Sequence, residues 1–320
     1  MRRRAILLGV DGTAAWQRAL AHVAALATGE PGDPSWRVTL QFHPDRLVPT
    51  PTGPMPILAA MARDGVYRSQ FETGTSNGGL TAYEGGDRWR WESRMFGGAY
   101  DHEPPSARPK YGSLNFRGRL VGGSPRFGSA YLQLAAHVMS RCTFCYPDSV
   151  FEPEHFAVAS SLSTLVACAR SRDHDPAWDP LDDYIEAHVH GSIRFDRDVE
   201  AIVLDPCYRG TEVEELSKEL GCAVAWHGGF VLSTSVLRQH PNYRGPEFVA
   251  LGLALARDER LDPRIIGDAA RTGEYDLQSL KRVWHYVARF GSPEMRARSD
   301  EVRQSPSSSP SSSSVSSGVG

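Results

Sequence analysis

The chain has 320 residues, 41% of them hydrophobic and 23% charged, a balance that suits one large globular domain or two small ones. Its formal net charge of -3 provides no basic excess for nucleic acid or for an anionic membrane surface. Five cysteines in a chain this long argue against a disulfide framework. The apolar run Ala5–Val10 is too short for a spanning helix or a signal-peptide core, so a cytoplasmic protein is expected.

Ala14 to Thr28 is alanine-rich, with Leu20, Val23, Ala24 and Ala27 at helical spacing, and the Gly/Pro/Asp run from Gly29 to Pro34 ends that helix. Trp36 to Phe42 reads as a strand that stops at Pro44, since proline cannot continue sheet pairing. Ile57 to Arg63 reads as a short helix closed by Asp64-Gly65. Residues 65–130 are dense in glycine and aromatics. Each glycine costs about 1 kcal/mol in a helix interior, so loops and short strands are expected there rather than long helices. Ser129 to Leu134 and Asp182 to Gly191 read as strands, and Ser161 to Cys168 as a helix. Beyond Val199–Leu204, Glu212 to Leu220 is an amphipathic helix ending at Gly221. Ala223 to Trp226 and Phe230 to Leu232 are strand-like, and Phe248 to Arg257 and Leu277 to Phe290 are helical. From Pro306 onward the chain is almost entirely Ser, Pro, Gly and Val, too poor in apolar residues to offset the entropy of folding. The expected organisation is an N-terminal helical segment (1–36), one α+β domain (37–292) and a disordered Ser/Pro-rich tail (293–320).

The strand Tyr184-Ile185-Glu186-Ala187-His188-Val189-His190-Gly191 is the most informative segment for chemistry. Strand side chains alternate, so Glu186, His188 and His190 share one face and Ala187 and Val189 the other. An ionised Glu186 suits stabilisation of a developing positive charge at a sugar carbon. Alternatively, Glu186, His188 and His190 form a zinc or iron site, or the histidines are ordinary core and surface residues.

Arg68, in the run from Gly65 to Gly79, offers a rigid fork of donors for a phosphate or carboxylate; equally, it pairs with Glu72 or another carboxylate beside a turn. Arg108 to Asn115 and Pro125 to Leu132 each place an aromatic-Gly-Ser unit after an arginine. Tyr111 and Phe127 there can stack on a flat ring, and Ser113 and Ser129 can bond a sugar or amide. The other reading is two strands with glycine at close packing points. His43 with Asp45 and Arg46 is either a polar cluster or a strand-ending turn. The lone Cys142-x-x-Cys145 lacks the further ligands of a structural zinc site and reads as two thiols in a partly buried strand. There is no G-x-S-x-G, no P-loop and no G-x-G-x-x-G opening a helix.

Taken together, Thr39–Arg46, Tyr67–Gly74, Gly86–Arg88, Trp91-Glu92, Phe96–Tyr100, Arg108–Gly112, Arg126–Ser129, Asp182–Ala187, His190-Gly191 and Asp205-Pro206 resemble a bacterial family known as domain of unknown function 3626. The order of parts is similar to that of the ADP-ribosyltransferase superfamily. In those proteins an early strand carries an Arg or His, a middle strand a Ser/Thr or aromatic, and a late strand a Glu. The resemblance implies an α+β fold with a split, mostly antiparallel sheet and flanking helices around a cleft. It implies NAD as substrate, with Glu186 and Arg68 as catalytic residues and Arg108, Tyr111, Ser113, Phe127, Ser129 and His188 as NAD-binding residues. Arg68 or Arg108 would hold phosphate or ribose, Tyr111 or Phe127 would stack on nicotinamide, Ser129 would support the pocket, and Glu186 would steady the ribose cation. ADP-ribose would pass to an acceptor, such as a protein, or to water. A metal-dependent hydrolase or oxygenase built on Glu186, His188 and His190, and a non-enzymatic binding module, are the alternatives.

Overall fold

The computed structural model describes residues 14–74, 81–173, 175 and 177–295. The alanine-rich α1 (Ala15–Leu26) leads through a polar loop to β1 (Val38–Phe42). The ribbon β2 (Leu47–Thr50) and β3 (Gly53–Pro56) feeds directly into α2 (Ile57–Asp64). Gly65 ends α2 in the left-handed conformation, φ 66°, with its N–H on the Met61 carbonyl. After β4 (Val66–Tyr67) and the single turn α3 (Gln70–Thr73) comes α4 (Asp87–Met95). The strands β5 (Lys110–Leu114), β6 (Ala130–Leu134), β7 (Cys142–Tyr146) and β8 (His155–Val158) precede α5 (Ser163–Ser171). The next stretch holds β9 (Ile185–Val189), β10 (Ile193–Arg194), α6 (Phe195–Asp198), β11 (Val199–Leu204), α7 (Glu212–Lys218) and β12 (Ala223–Trp226). The chain then runs through β13 (Leu232–Ser233), α8 (Thr234–Arg238), α9 (Pro246–Leu255), β14 (Arg260–Leu261), α10 (Pro263–Thr272) and α11 (Leu277–Phe290).

Eight strands form one sheet in the order β12-β11-β6-β1-β5-β9-β7-β8. Every pairing is antiparallel except β11 with β12, whose connection runs through α7 as a parallel pair requires. The sheet is large and mostly antiparallel, as expected, but it is continuous rather than split. The reason is β9, which pairs with β5 on one edge and β7 on the other and so closes the gap a split sheet would leave.

Alternation along the central strands separates two environments. Val38, Leu40 and Phe42 of β1, Ile185, Ala187 and Val189 of β9, and Phe144 of β7 share one apolar core. Leu58 and Met61 of α2, Leu165 and Val166 of α5, and Val213 of α7 cover that face. The opposite face carries Thr39, Gln41, Tyr111, Ser113, Thr143, Cys145, Glu186 and His188. At one end α1 and α4 cover it with Ala19, Val23, Trp91, Met95 and Phe96. Elsewhere the C-terminal helices build a separate cluster around Trp284, Val283, Val287 and Ile266, and His43 meets Trp284 edge-on at 5.0 Å.

The nine-residue α4 lies inside the glycine-rich stretch where only loops and short strands were expected. Gly85, Gly86, Gly97 and Gly98 flank it and none falls within it, so the helix escapes their cost. Cys142 and Cys145 are three apart on a strand and point to opposite faces, one into the main core and one beneath α1 and α4, which rules out a shared metal. The N-terminal helix is packed into the fold through Ala19 and Val23. Met295 is buried in the C-terminal cluster, and residues 296–320, most of the expected tail, lie outside the described residues. Among the described residues no helix is long and apolar enough to cross a membrane.

Candidate functional site

A cleft of about 680 Å³ opens over the polar face of the sheet, a size usual for small-molecule sites. Three adjacent strands deliver its floor: His43 directly follows β1, β5 carries Tyr111, and β9 carries Glu186. The lining also takes Arg88 from α4, Arg126 and Phe127 from the 3-10 turn before β6, and Arg68 after β4. Tyr184 flanks Glu186, and Lys281 enters from α11. Seven cationic side chains face it (Arg46, Arg63, Arg68, Arg88, Lys110, Arg126 and Lys281) against four carboxylates (Asp64, Glu72, Glu186 and Asp276), so the field favours an anionic guest.

Glu186 is 6% exposed. His188 Nε2 lies 2.9 Å from its Oε1, and the Ser149 hydroxyl donates to Oε2 at 3.2 Å. Arg88 donates to Ser149 at 3.0 Å, stands 3.8 Å from Glu186 and lies 4.1 Å over the Tyr111 ring. Burial alone would raise the Glu186 carboxyl, but the His188 hydrogen bond, the Arg88 charge and the Ser149 hydroxyl outweigh it and hold the group below the usual carboxylate range. Asp148 moves the other way, pushed up by burial and by Glu186 itself. Burial, then Arg46 and Lys281, hold His43 well below its ordinary value, so its imidazole is neutral at pH 7.

Of the residues the sequence singles out, Glu186, Arg68, Tyr111 and Phe127 line this one cleft. Arg68 pairs with Asp64 at 2.8 Å, not with Glu72, and remains 46% exposed. Arg108 does not reach the cleft. It is buried, stacked on Phe71 at 4.3 Å, and donates to Glu92 Oε2 at 2.7 Å. Glu92 in turn accepts the Tyr111 hydroxyl at 2.6 Å, so Arg108 and Glu92 brace Tyr111 from behind.

Ser113 shares the Glu186 face but is roofed by Gly123, where an added Cβ would sit 2.4 Å from its hydroxyl, and it bonds Thr39 at 3.1 Å. Ser129 is buried beside Tyr208, because Gly128 presses so close to the Phe42 carbonyl that the chain turns inward after Phe127. His188 stands behind Glu186 among Trp91, Phe96 and Tyr111 and is fully buried, so it supports the carboxylate rather than touching a ligand.

His190 is separated from Glu186 by its own partners: Tyr100 on Nδ1 at 2.6 Å and Thr143 on Nε2 at 3.0 Å. Among the described residues the side chains that do cluster are Cys145, Glu186 and His188, with ligand atoms within 4.8 Å of one another. Burial, then Glu186, holds the Cys145 thiol well above its ordinary value, and His188 Nε2 already faces Glu186. Within this cluster Glu186 is the ionised member and His188 is its hydrogen-bond partner.

The residues that sequence reasoning underweighted are His43, Arg46 and Arg88. His43 and Arg46 follow the first strand of the sheet, and Arg88 opens the unforeseen α4. The family described as protein of unknown function (DUF3626) matches residues 37–171 and 167–290. The chain belongs to this family. The DUF3626 match takes in all eight strands of the large sheet and α11, and leaves out α1. No curated protein matches the chain.

Proposed function

We propose that this DUF3626 protein consumes NAD, breaking the nicotinamide–ribose bond and passing ADP-ribose to an acceptor or to water. The observation that carries this reading is that His43 just after β1, Tyr111 on β5 and Glu186 on β9, from three adjacent strands, line one cationic cleft. That order, a histidine on an early strand, an aromatic on a middle strand and a glutamate on a late strand, resembles the ADP-ribosyltransferase arrangement. His43 fills the first position in place of Arg68 or Arg108. Further support comes from the lining itself: Gln41 Oε1, Arg46 Nη1 and Gln70 Oε1 are buried and make no hydrogen bond among the described residues, which is costly unless a polar guest supplies one.

In this reading the C1′–N bond breaks with its electron pair leaving on the nicotinamide nitrogen, and positive charge develops at the ribose C1′. Glu186, held ionised, stabilises that charge. An acceptor oxygen or nitrogen, or water, then bonds to C1′ and releases a proton. Arg46, Arg68 and Arg126 supply positive charge for the pyrophosphate, and Tyr111 and Phe127 supply ring faces.

The test is calorimetric titration of NAD into the purified protein with parallel measurement of nicotinamide. Saturable binding that His43→Ala weakens, with nicotinamide release that Glu186→Gln abolishes, supports the reading. Absence of both binding and release rejects it and returns the cleft to a non-nucleotide anion.

A further inference from the structure

Behind Glu186 runs an unbroken series of buried polar contacts. Tyr100 Oη lies 2.6 Å from His190 Nδ1, His190 Nε2 3.0 Å from Thr143 Oγ1, Thr143 Oγ1 3.1 Å from His188 Nδ1, and His188 Nε2 2.9 Å from Glu186 Oε1. The three members between Tyr100 and Glu186 are 0% exposed, and Tyr100 is 1% exposed. The sheet register builds the series: His188 is the direct partner of Thr143 across the β7–β9 ladder, and His190 follows His188 by two on the same side. Trp91, Phe96 and Tyr100 close over the two imidazoles at ring distances of 5.1–5.9 Å.

Hydrogen-bond chemistry fixes the direction of every link. An ionised carboxylate only accepts, so His188 Nε2 must carry the proton. The neutral His188 Nδ1 then accepts from the Thr143 hydroxyl. Thr143, having spent its proton, accepts from His190 Nε2–H, which leaves His190 Nδ1 to accept from Tyr100. All four donors point the same way, toward the one member that faces the cleft. Two imidazoles buried between aromatic rings are otherwise a costly choice, and a low-dielectric setting strengthens a fully satisfied network.

We propose that Tyr100, His190, Thr143 and His188 act as one oriented hydrogen-bond chain that positions Glu186 in the cleft. These are positioning residues; none of the four needs to touch a ligand. Their effect on turnover rests on the NAD reading above, whereas the tautomers do not. Glu186 is faced by His188 on its own strand, Cys145 from β7, Asp148 beyond β7, Arg88 from α4, Tyr111 from β5 and neighbouring Tyr184. His190 is faced by Tyr100, Lys110, Arg141 and His188.

Nitrogen NMR of the full chain labelled with ¹⁵N-histidine, recorded from pH 5.5 to 8, tests the chain directly. The expected result is two non-titrating histidines, both protonated on Nε2, with the His188 Nδ1 resonance shifting in Thr143→Val and returning in Thr143→Ser. An Nδ1–H tautomer at either site, or titration near pH 6.5, overturns the proposal whatever NAD does. In nicotinamide release, Thr143→Val should lower kcat roughly tenfold, the worth of one ordinary hydrogen bond. It should also move the acidic limb of the pH profile upward and leave KM unchanged. Tyr100→Phe should produce a smaller shift of the same sign. An unmoved acidic limb in a folded Thr143→Val protein contradicts the positioning role. Failure of the wild type to bind NAD, with the tautomers as stated, would sink the NAD reading and leave the chain standing.

Discussion

Arg108 and Arg68 provide a contrast in which one arginine holds the site together and the other meets the guest. The Arg108–Glu92 pair is 2.7 Å long, with side chains 4% and 0% exposed. Arg108→Met removes one partner and strands the Glu92 charge, a change that costs about 3–5 kcal/mol in buried pairs. For a domain of this size each kcal/mol shifts Tm by roughly 2–4 °C, so a fall on the order of 10 °C is expected. Arg68→Ala breaks an exposed pair worth about 0–1 kcal/mol and should leave Tm nearly unchanged while weakening NAD binding. The double variant Glu92→Leu with Arg108→Met should recover most of the loss, because no charge is left unpaired. It still removes the acceptor of the Tyr111 hydroxyl, at about 1 kcal/mol. Thermal denaturation and calorimetric NAD titration of the four proteins decide the matter. An Arg108→Met protein that keeps its Tm and loses NAD affinity would refute the reasoning and make Arg108 a ligand residue.

Other consequences are equally direct. His43, His188, His190 and His285 are all held below the ordinary histidine value by burial. Below about pH 6.5 the unfolded chain therefore binds protons the folded one does not, and stability falls as pH falls, by up to ~1.4 kcal/mol per pH unit for each histidine. Urea denaturation at pH 7, 6 and 5 checks this, and a flat profile contradicts it. Gly267→Ala would place a Cβ 1.5 Å from Asp45 Oδ2, which accepts the Tyr208 hydroxyl at 2.8 Å, and should cost more than about 2 kcal/mol. Gly228→Ala, where an added Cβ meets nothing within 4 Å, is the matched control and should melt near the wild type. Tyr111→Ala should weaken NAD binding by about tenfold or more, measured by titration, because it removes the ring that β5 presents to the cleft.

Much of the sheet was readable from alternation and punctuation. Val38–Phe42 sits between Gly/Pro-rich turns, and Ile185–Val189 places its apolar and polar residues on opposite faces, so both strands and the Glu186 face were visible. The site was readable where residue type alone implies exposure to a guest, as for Tyr111, Phe127 and Arg68. It was not readable where tertiary neighbours decide. Arg108 looks like Arg68 in sequence, but Glu92 on an unforeseen helix captures it. Ser113 and Ser129 look available until Gly123 and Gly128 bring backbone over or against them. His190 looks like a ligand until Tyr100 and Thr143 take both of its nitrogens. His43 reads as the end of a strand, and only the strand order β1-β5-β9 brings it to the same cleft as Glu186. Strand order is a long-range property that local periodicity does not carry.

The measurement closest to the central claim is nicotinamide release from NAD by the wild type and by Glu186→Gln, with folding of both verified by near-UV circular dichroism. The variant keeps the size of the side chain but loses the charge that would oppose the ribose cation, together with one of the two oxygens that accept from His188 and Ser149. A loss of about 10²–10³-fold in kcat with little change in NAD affinity is predicted. Release that survives in folded Glu186→Gln, or a wild type that neither binds NAD nor releases nicotinamide, would contradict the account.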